Sequence, residues 1–328
     1  MNARLVKLTF TSPFHLSPPG ESLERTETAI SSDMLISALA VCHTKLYGTF
    51  CEEFFSEKLL VSSLFPFYKD ILFFPAPLFD YQSKNAPPSD LKKLRKIKYL
   101  DFSLWSKLIR GEPLDPTDVE TIGMFGVPRI QKENENKIET FLHEEDLQRL
   151  GKDPFYFSQI RMNPEAGMFF VFQVDPFIES QFKACLRLLA DEGIGGDRTV
   201  GKGMFTISGE STITIPHVQS SHIMNLSFFI PSQDDIKHID LNNSFYRLHQ
   251  KRGWYITHRF LNLKKRGIFG FSEGSVFSTT SPSLPLTGKT AVLLKKEEIP
   301  SPASPPFDIF RHGFFFGVPV KIPEVSND

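Results

Sequence analysis

The segment Gly193–Gly203 reads G-I-G-G-D-R-T-V-G-K-G, with five glycines in eleven residues and both Arg198 and Lys202 among them. Glycine lets a backbone approach a ligand closely and adopt positive φ, and successive N–H groups in such a turn converge on an anion. The obvious target is phosphate. Two phosphate motifs come close and fail. Gly196–Gly203 fits G-x-x-x-x-G-K but places Gly203 where a P-loop needs Ser or Thr for magnesium. The loop also follows a predicted helix and precedes a strand, the reverse of a P-loop. In G-x-G-x-x-G, Arg198 takes the place of the third glycine. These departures disfavour a nucleotide hydrolase, while a glycine-rich turn with no ligand stays open.

A second basic feature runs from Leu241 to Ser272. It contains Arg247, Lys251, Arg252, Arg259, Lys264, Lys265 and Arg266, no acidic residue, and the interleaved rings Phe245, Tyr246, Trp254 and Tyr255. Cations for phosphate beside aromatic faces for bases is how single-stranded RNA is held. A solvated basic surface, or a dock for an acidic protein, is the alternative. The denser run Lys92, Lys93, Arg95, Lys96 and Lys98 reads first as a solvated helix face. His15, after the first strand, could stack on or bond to a base. Asp33 could serve as a catalytic acid, but its place at the start of a helix is better explained by capping and dipole complementarity. No histidine has metal-ligand neighbours at suitable spacing and no G-x-S-x-G is present. No catalytic residue, metal or cofactor is therefore assigned.

The elements that would position these residues are legible in the apolar periodicity. Val6, Leu8 and Phe10 alternate with Lys7 and Thr9 in a first strand. Ser31-Ser32-Asp33 opens a helix striped by Leu35, Leu39, Cys42 and Leu46, with Gly48 as its stop. Leu59–Phe67, Ile71–Phe74 and Gly167–Val174 read as strands. Asp175-Pro176 starts a second helix striped by Ile178, Phe182, Cys185 and Leu189, ending at Gly193, with a short strand Met204–Ser208 beyond. This order suits a ferredoxin-like β-α-β-β-α-β unit with an elaborated middle. Residues 76–155 read as an insertion, partly flexible. A second domain is expected from about residue 216, with Ile223–Ile230 as its first strand and a phenylalanine-rich strand near Gly313–Val320.

The net charge of −1 disfavours a free-standing binder held to nucleic acid by global charge. The three cysteines lack CxxC spacing, so a reducing cytoplasm is expected. No apolar run has transmembrane length, so no membrane partner is expected. The 33 phenylalanines call for a large aromatic core, contact surface, or both.

The glycine loop after an amphipathic helix resembles that of the RAMP superfamily of CRISPR proteins, most closely the fourth subunit of type III-A Csm effector complexes. Supporting segments are Phe14-His15-Leu16, Ser32–Leu39, Lys92–Lys98, Arg187–Arg198, Phe269–Phe277 and His312–Val320, in the expected order. The resemblance implies an α+β fold of two ferredoxin-like (RRM-like) RAMP domains, residues 1–215 with the insertion, and 216–328. It implies a non-catalytic subunit that caps the 5′ handle of the CRISPR RNA. Gly193, Gly195, Gly196, Arg198, Gly201, Lys202 and Gly203 would lie against the handle, with glycine amides donating to phosphate. His15, Arg252, Arg259, Lys264, Lys265 and Arg266 complete the expected RNA-binding set. The implied partners are the large cyclase/nuclease subunit, a backbone RAMP subunit and, indirectly, target RNA. A thumb-like projection would fall around Val127–Phe155, within the insertion Asn85–Phe155 that resembles the family least. A CRISPR-RNA-processing RAMP endoribonuclease is the alternative, but more than a hundred residues follow Gly203 and no histidine-centred acid–base site is evident. The equivalent subunit of a type III-B (Cmr) complex is the other.

Overall fold

The computed structural model describes residues 1–16, 26–80, 92, 94–128, 142–149, 155–256, 262–280, 285–300 and 305–323. The N-terminal part runs β1 (Asn2–Phe10), α1 (Ser32–Tyr47), β2 (Leu59–Val61), β3 (Phe65–Tyr68), β4 (Ile71–Pro75), β5 (Tyr99–Asp101), α2 (Phe102–Ile109), β6 (Val119–Ile122), β7 (Phe125–Pro128), β8 (Leu142–Arg149), β9 (Phe155–Met162), β10 (Ala166–Val174), α3 (Pro176–Glu192) and β11 (Phe205–Thr214). One sheet collects most of these strands in the order β11-β1-β10-β3-β4-β5-β7-β6, with β2 also on β10. Every pairing from β11 to β5 is antiparallel, and β5–β7 is parallel.

Alternation along β1 sets the two faces of the sheet. Val6, Leu8 and Phe10 join Leu35, Leu39 and Cys42 of α1 and Ile178, Phe182, Cys185 and Leu189 of α3 in one buried cluster. Ala3 and Leu5 point the other way, into a second cluster shared with Trp105 of α2 and with Met224, Val276, Phe316 and Val318 from the C-terminal part. The core therefore runs on both sides of the central strands. Nine phenylalanines, including Phe65, Phe74, Phe169 and Phe182, are among the largest fully buried side chains, so much of the phenylalanine excess is core. Each is worth roughly 1.5–3 kcal/mol relative to exposure.

The helix boundaries follow the sequence. Gly48 caps α1 at φ 70°, and Asp175 caps α3 by accepting from the Phe177 amide at 2.8 Å. Leu46 departs from its expected place: it is exposed, in the last turn of α1. Residues 99–128 are packed, extending the sheet by three strands, with the Trp105 ring stacked on Phe74 at 4.5 Å. The polar stretch Gln131–Lys137 and the loop Pro18-Pro19-Gly20 lie outside the described residues.

The C-terminal part contains β12 (His222–Asn225), α4 (Gln233–His238), β13 (Ile239–Phe245), β14 (Leu248–Lys251), β15 (Trp254–Ile256), β16 (Asn262–Lys264), β17 (Ile268–Phe271), β18 (Val276–Thr279), β19 (Ala291–Leu294), β20 (Ile309–Arg311) and β21 (Gly317–Pro319). Its main sheet has the order β13-β18-β12-β21. The strand expected over Ile223–Ile230 stops at Asn225, whose side chain accepts from the Ser227 amide and donates to the Ser227 carbonyl, turning the chain. The phenylalanine-rich end is likewise mostly non-strand. Phe314, Phe315 and Phe316 are nevertheless buried, as core.

Candidate nucleic-acid interface

The glycine loop begins where α3 ends. The Gly193 amide donates to Leu189, and Gly193 takes φ 78°, turning the chain away from the helix. Ile194 N–H donates to Gly203 O, Gly196 N–H to His15 O, and Gly203 N–H to Pro13 O. The loop is thus pinned to Pro13–His15, the segment following β1. A Cβ at Gly203 would stand 2.0 Å from the Ile194 carbonyl, and one at Gly195 2.6 Å from the His15 carbonyl. These glycines are demanded by close backbone packing. Gly201, at φ 82°, has open space around its Cβ direction.

The outcome for the amides is narrower than the expectation that the glycines as a group donate to phosphate. Those of Gly193, Gly196, Gly201 and Gly203 are spent on carbonyls inside the protein. Among the described residues, the loop amides without an internal acceptor are Gly195, Asp197, Arg198 and Thr199. Asp197 sits at φ 56°, opening a short 3-10 turn over Arg198–Val200. Three consecutive amides at the start of a turn form the kind of concavity that accepts an anion. Arg198 is exposed beside them and has no ion-pair partner among the described residues. Lys202 is more committed, its Nζ lying 3.2 Å from Asp197 Oδ2 with the side chain largely covered.

His15 is buried. Its Nδ1 lies 2.6 Å from the Ser158 carbonyl, to which it donates, while Phe14 and Ile160 exchange backbone bonds of 3.0 and 2.8 Å. Ser158 and Ile160 belong to β9, which pairs with β8 in a separate two-stranded hairpin. His15 therefore ties together β1, the glycine loop and the root of the hairpin. It positions these segments, and its ring is not presented to solvent for stacking.

The basic segment in the C-terminal part is dispersed. Arg252, just before β15, and Lys264, in β16, are exposed, and Trp254, which pairs with Lys264, is exposed as well. Arg266 is ion-paired with Glu298. Lys265 is half-buried, and burial, reinforced by Arg311, holds its ammonium below its ordinary range. Arg259 lies outside the described residues, as does Lys93.

Asp33 is fully buried and ion-paired with Arg311, and it accepts from Ser31 Oγ at 2.5 Å. Burial alone would raise its carboxyl. The charges of Lys251 and Arg311 and the Ser31 bond reverse that, and it lies below its usual value. Ser31, and not Asp33, is the N-cap residue of α1. Asp33 thus joins the N-terminal part to the C-terminal part. The sequence offers no signal for this partnership, since 278 residues separate Asp33 from Arg311. Among the described residues, no group of three His, Cys, Asp or Glu side chains could hold a metal ion.

Residues 218–283 match the family model of the CRISPR Csm4 C-terminal domain. The chain is 27% identical over 331 residues to the CRISPR system Cms protein Csm4 of Methanocaldococcus jannaschii, covering 84% of this chain and 85% of that one. It is also 27% identical over 290 residues to the Csm4 protein of Mycobacterium tuberculosis, covering 85% and 89%. Among solved structures, a Csm3–Csm4 subcomplex of the type III-A interference complex matches with a TM-score of 0.65 at 20% identity, over 98% of this chain and 100% of that one. A Csm1–Csm4 cassette with AMPPNP matches with a TM-score of 0.62 at 18% identity, over 99% and 100%. In sequence and in fold the chain is thus similar to CRISPR Csm4 proteins. The similarity to Csm4 proteins spans most of the chain, and residues 218–283 carry the match to the Csm4 C-terminal domain.

Proposed function

We propose that this chain is the non-catalytic subunit of a type III-A CRISPR complex that caps the 5′ handle of the CRISPR RNA. The observation that carries the reading is the glycine loop. Its packing glycines are locked against Pro13–His15, which leaves the amides of Asp197, Arg198 and Thr199 and the Arg198 guanidinium turned outward. A backbone phosphate set against that turn receives charge-assisted bonds without base readout. Lys202 contributes by sharing its charge between Asp197 and the phosphate. The order β11-β1-β10-β2, with α1 and α3 on one face, supports a first ferredoxin-like RAMP domain over residues 1–215. The sheet from β12 to β21 supports a second over residues 216–328.

The chain docks a large Csm1-type subunit and a Csm3-type backbone subunit, as the Csm4 proteins of similar fold do. Of the Val127–Phe155 stretch expected to form the thumb-like projection, Val127 lies in β7 of the main sheet, and the β8–β9 hairpin, rooted on His15 beside the loop, is the part that would project and meet target RNA indirectly. No described helix is long and apolar enough to cross a membrane, and the chain works in the cytoplasm with no membrane partner. The burial of Asp33 in an ion pair argues against catalysis by that residue.

The test is binding of labelled RNAs with and without a CRISPR 5′ handle to the wild-type chain and to the Arg198→Ala/Lys202→Ala variant. Products are checked on a denaturing gel. Handle-dependent binding weakened by the variant, with intact RNA, is expected. Cleavage at a fixed position would instead favour the endoribonuclease alternative.

A further inference from the structure

From Leu248 to Phe271 the chain forms a two-stranded ribbon. β14 pairs with β17 from Leu248↔Phe271 to Lys251↔Ile268, and β15 pairs with β16 from Trp254↔Lys264. Between these ladders the Lys265 amide donates to the Gly253 carbonyl at 2.9 Å. Alternation along the strands gives the ribbon two unlike faces. The inner face carries Lys251, whose Nζ stands 5.6 Å from the centre of the Phe228 ring, and Gly270, where a Cβ would meet that ring at 2.4 Å. This face is therefore packed against Phe228. The ribbon is fastened at its base, where Phe229 and Phe271 exchange backbone bonds of 3.0 and 2.8 Å. It is fastened again at Arg266, whose amide donates to the Leu293 carbonyl at 3.1 Å.

The outer face is uncovered. Phe269 stands opposite Gln250, diagonal to Leu248, so the two apolar side chains are neighbours on one face. Leu248 is 54% exposed and Phe269 59%. Further along the ribbon, Trp254 is 57% exposed and pairs with the exposed Lys264, and the exposed Arg252 comes between Gln250 and Trp254. Single exposed apolar side chains are ordinary. Leucine, phenylalanine and tryptophan held more than half in water on a fastened ribbon, with cations beside them, have the make-up of a protein interface, where aromatic and arginine side chains act as anchors.

Charge decides the occupant. No carboxylate occurs from Leu241 to Ser272, and Arg252 and Lys264 form no ion pair among the described residues. Arg266 is answered by Glu298, from outside the ribbon. A second copy of the chain would set this cationic surface against itself, because a two-fold contact uses the same patch on both sides. An RNA strand would use the cations and the Trp254 ring, but Leu248 offers a strand neither charge nor stacking face. A protein surface with carboxylates around an apolar recess answers every feature of the ribbon.

We propose that the outer face of the β14–β17 and β15–β16 ribbon is a protein-docking surface. Leu248, Phe269 and Trp254 enter an apolar recess of a neighbouring subunit, and Arg252 and Lys264 pair with Asp or Glu side chains at its edge. The proposal rests on the reading of the chain as a subunit of a type III-A complex, and it assigns one of that subunit's contact surfaces and the chemistry of what covers it.

The test uses the full-length chain, free and assembled with CRISPR RNA and the other subunits of the complex. Hydroxyl-radical footprinting should show Leu248, Trp254 and Phe269 oxidised at least fivefold more slowly in the complex than in the free chain. A carbodiimide, which joins an amine directly to a touching carboxylate, should link Lys264 to an Asp or Glu of another subunit, identified by mass spectrometry. Leu248→Ser/Phe269→Ser and Arg252→Glu/Lys264→Glu should each bind the rest of the complex at least tenfold more weakly than wild type. Both alter exposed side chains, and circular dichroism of the free chain checks that they fold. Equal oxidation in the free and assembled chain, wild-type affinity in both variants, ultraviolet crosslinking of RNA to Trp254 in the complex, or a dimer of the free chain dispersed by the Leu248→Ser/Phe269→Ser change would each overturn the proposal. A wild-type chain that joins no such complex would remove the subunit reading itself, whereas assembly with the ribbon still open to oxidation removes only the docking surface.

Discussion

Asp33→Asn removes the carboxylate that Arg311 contacts and that Lys251 also faces, while keeping the side chain's size. At an effective dielectric of about 20, each unit charge near 4 Å interacts by roughly 4 kcal/mol. Breaking a buried pair by deleting one partner typically costs about 3–5 kcal/mol, because the other charge stays covered and unpaired. Here that deletion strands Arg311, with Lys251 and Lys265 nearby, so the upper half of the range applies. Urea unfolding followed by circular dichroism should show the loss as a lowered midpoint with an unchanged slope. The Asp33→Asn/Arg311→Met double variant should recover part of it, since the stranded guanidinium is then gone. A loss below about 1 kcal/mol, or a double variant equal to the sum of the singles, would refute the argument that this ion pair fastens the two parts together. Wild-type stability with loss of an RNA-cleaving activity would point to the catalytic role that the burial of Asp33 argues against.

Gly203→Ala should abolish soluble expression or sharply lower thermal stability, because its Cβ meets the Ile194 carbonyl at 2.0 Å, whereas Gly201→Ala should cost only about 1–2 kcal/mol for its left-handed φ. His312 is fully buried, and burial lowers its imidazole to about 4 although the Leu59 carbonyl and Asp33 oppose this. Between its ordinary value and about 4 the unfolded chain binds a proton that the folded chain refuses, so stability falls as pH drops through that window, by up to roughly 3 kcal/mol. His312→Gln should flatten that dependence relative to wild type in urea midpoints taken at several pH values. Trp105→Ala should destabilise by about 3–5 kcal/mol in thermal melts, since the ring is fully buried against Phe74.

Local signals carried much of this architecture. The alternation in β1, the caps Asp175 and Gly48, and the stripes of α1 and α3 are decided by neighbours within a few residues, and they fall where their chemistry puts them. Leu46 escapes because a stripe of the right period does not reveal which of its turns the rest of the fold covers. The Ile223–Ile230 strand is cut short by one asparagine bonding its own backbone, a competition that apolar content conceals. At the loop, glycine spacing located the segment and could not divide its amides. Which amides are free depends on Pro13–His15, some 180 residues away in sequence. Long sequence separations likewise hide the function of His15, which pins three segments together, and the pairing of Asp33 with Arg311. Lys265 reads as one more surface cation until the fold half-buries it near Arg311 and Asp33.

The central claim, that the outward turn of the glycine loop holds the 5′ handle, is tested most directly in an assembled type III-A complex. The CRISPR RNA would carry a photoactivatable nucleotide at each handle position in turn, with crosslinks mapped by mass spectrometry. The account predicts crosslinks from handle positions to the peptide containing Asp197, Arg198 and Thr199, lost or redistributed on Arg198→Ala/Lys202→Ala. Handle crosslinks confined to other subunits, with none to this loop, would contradict it.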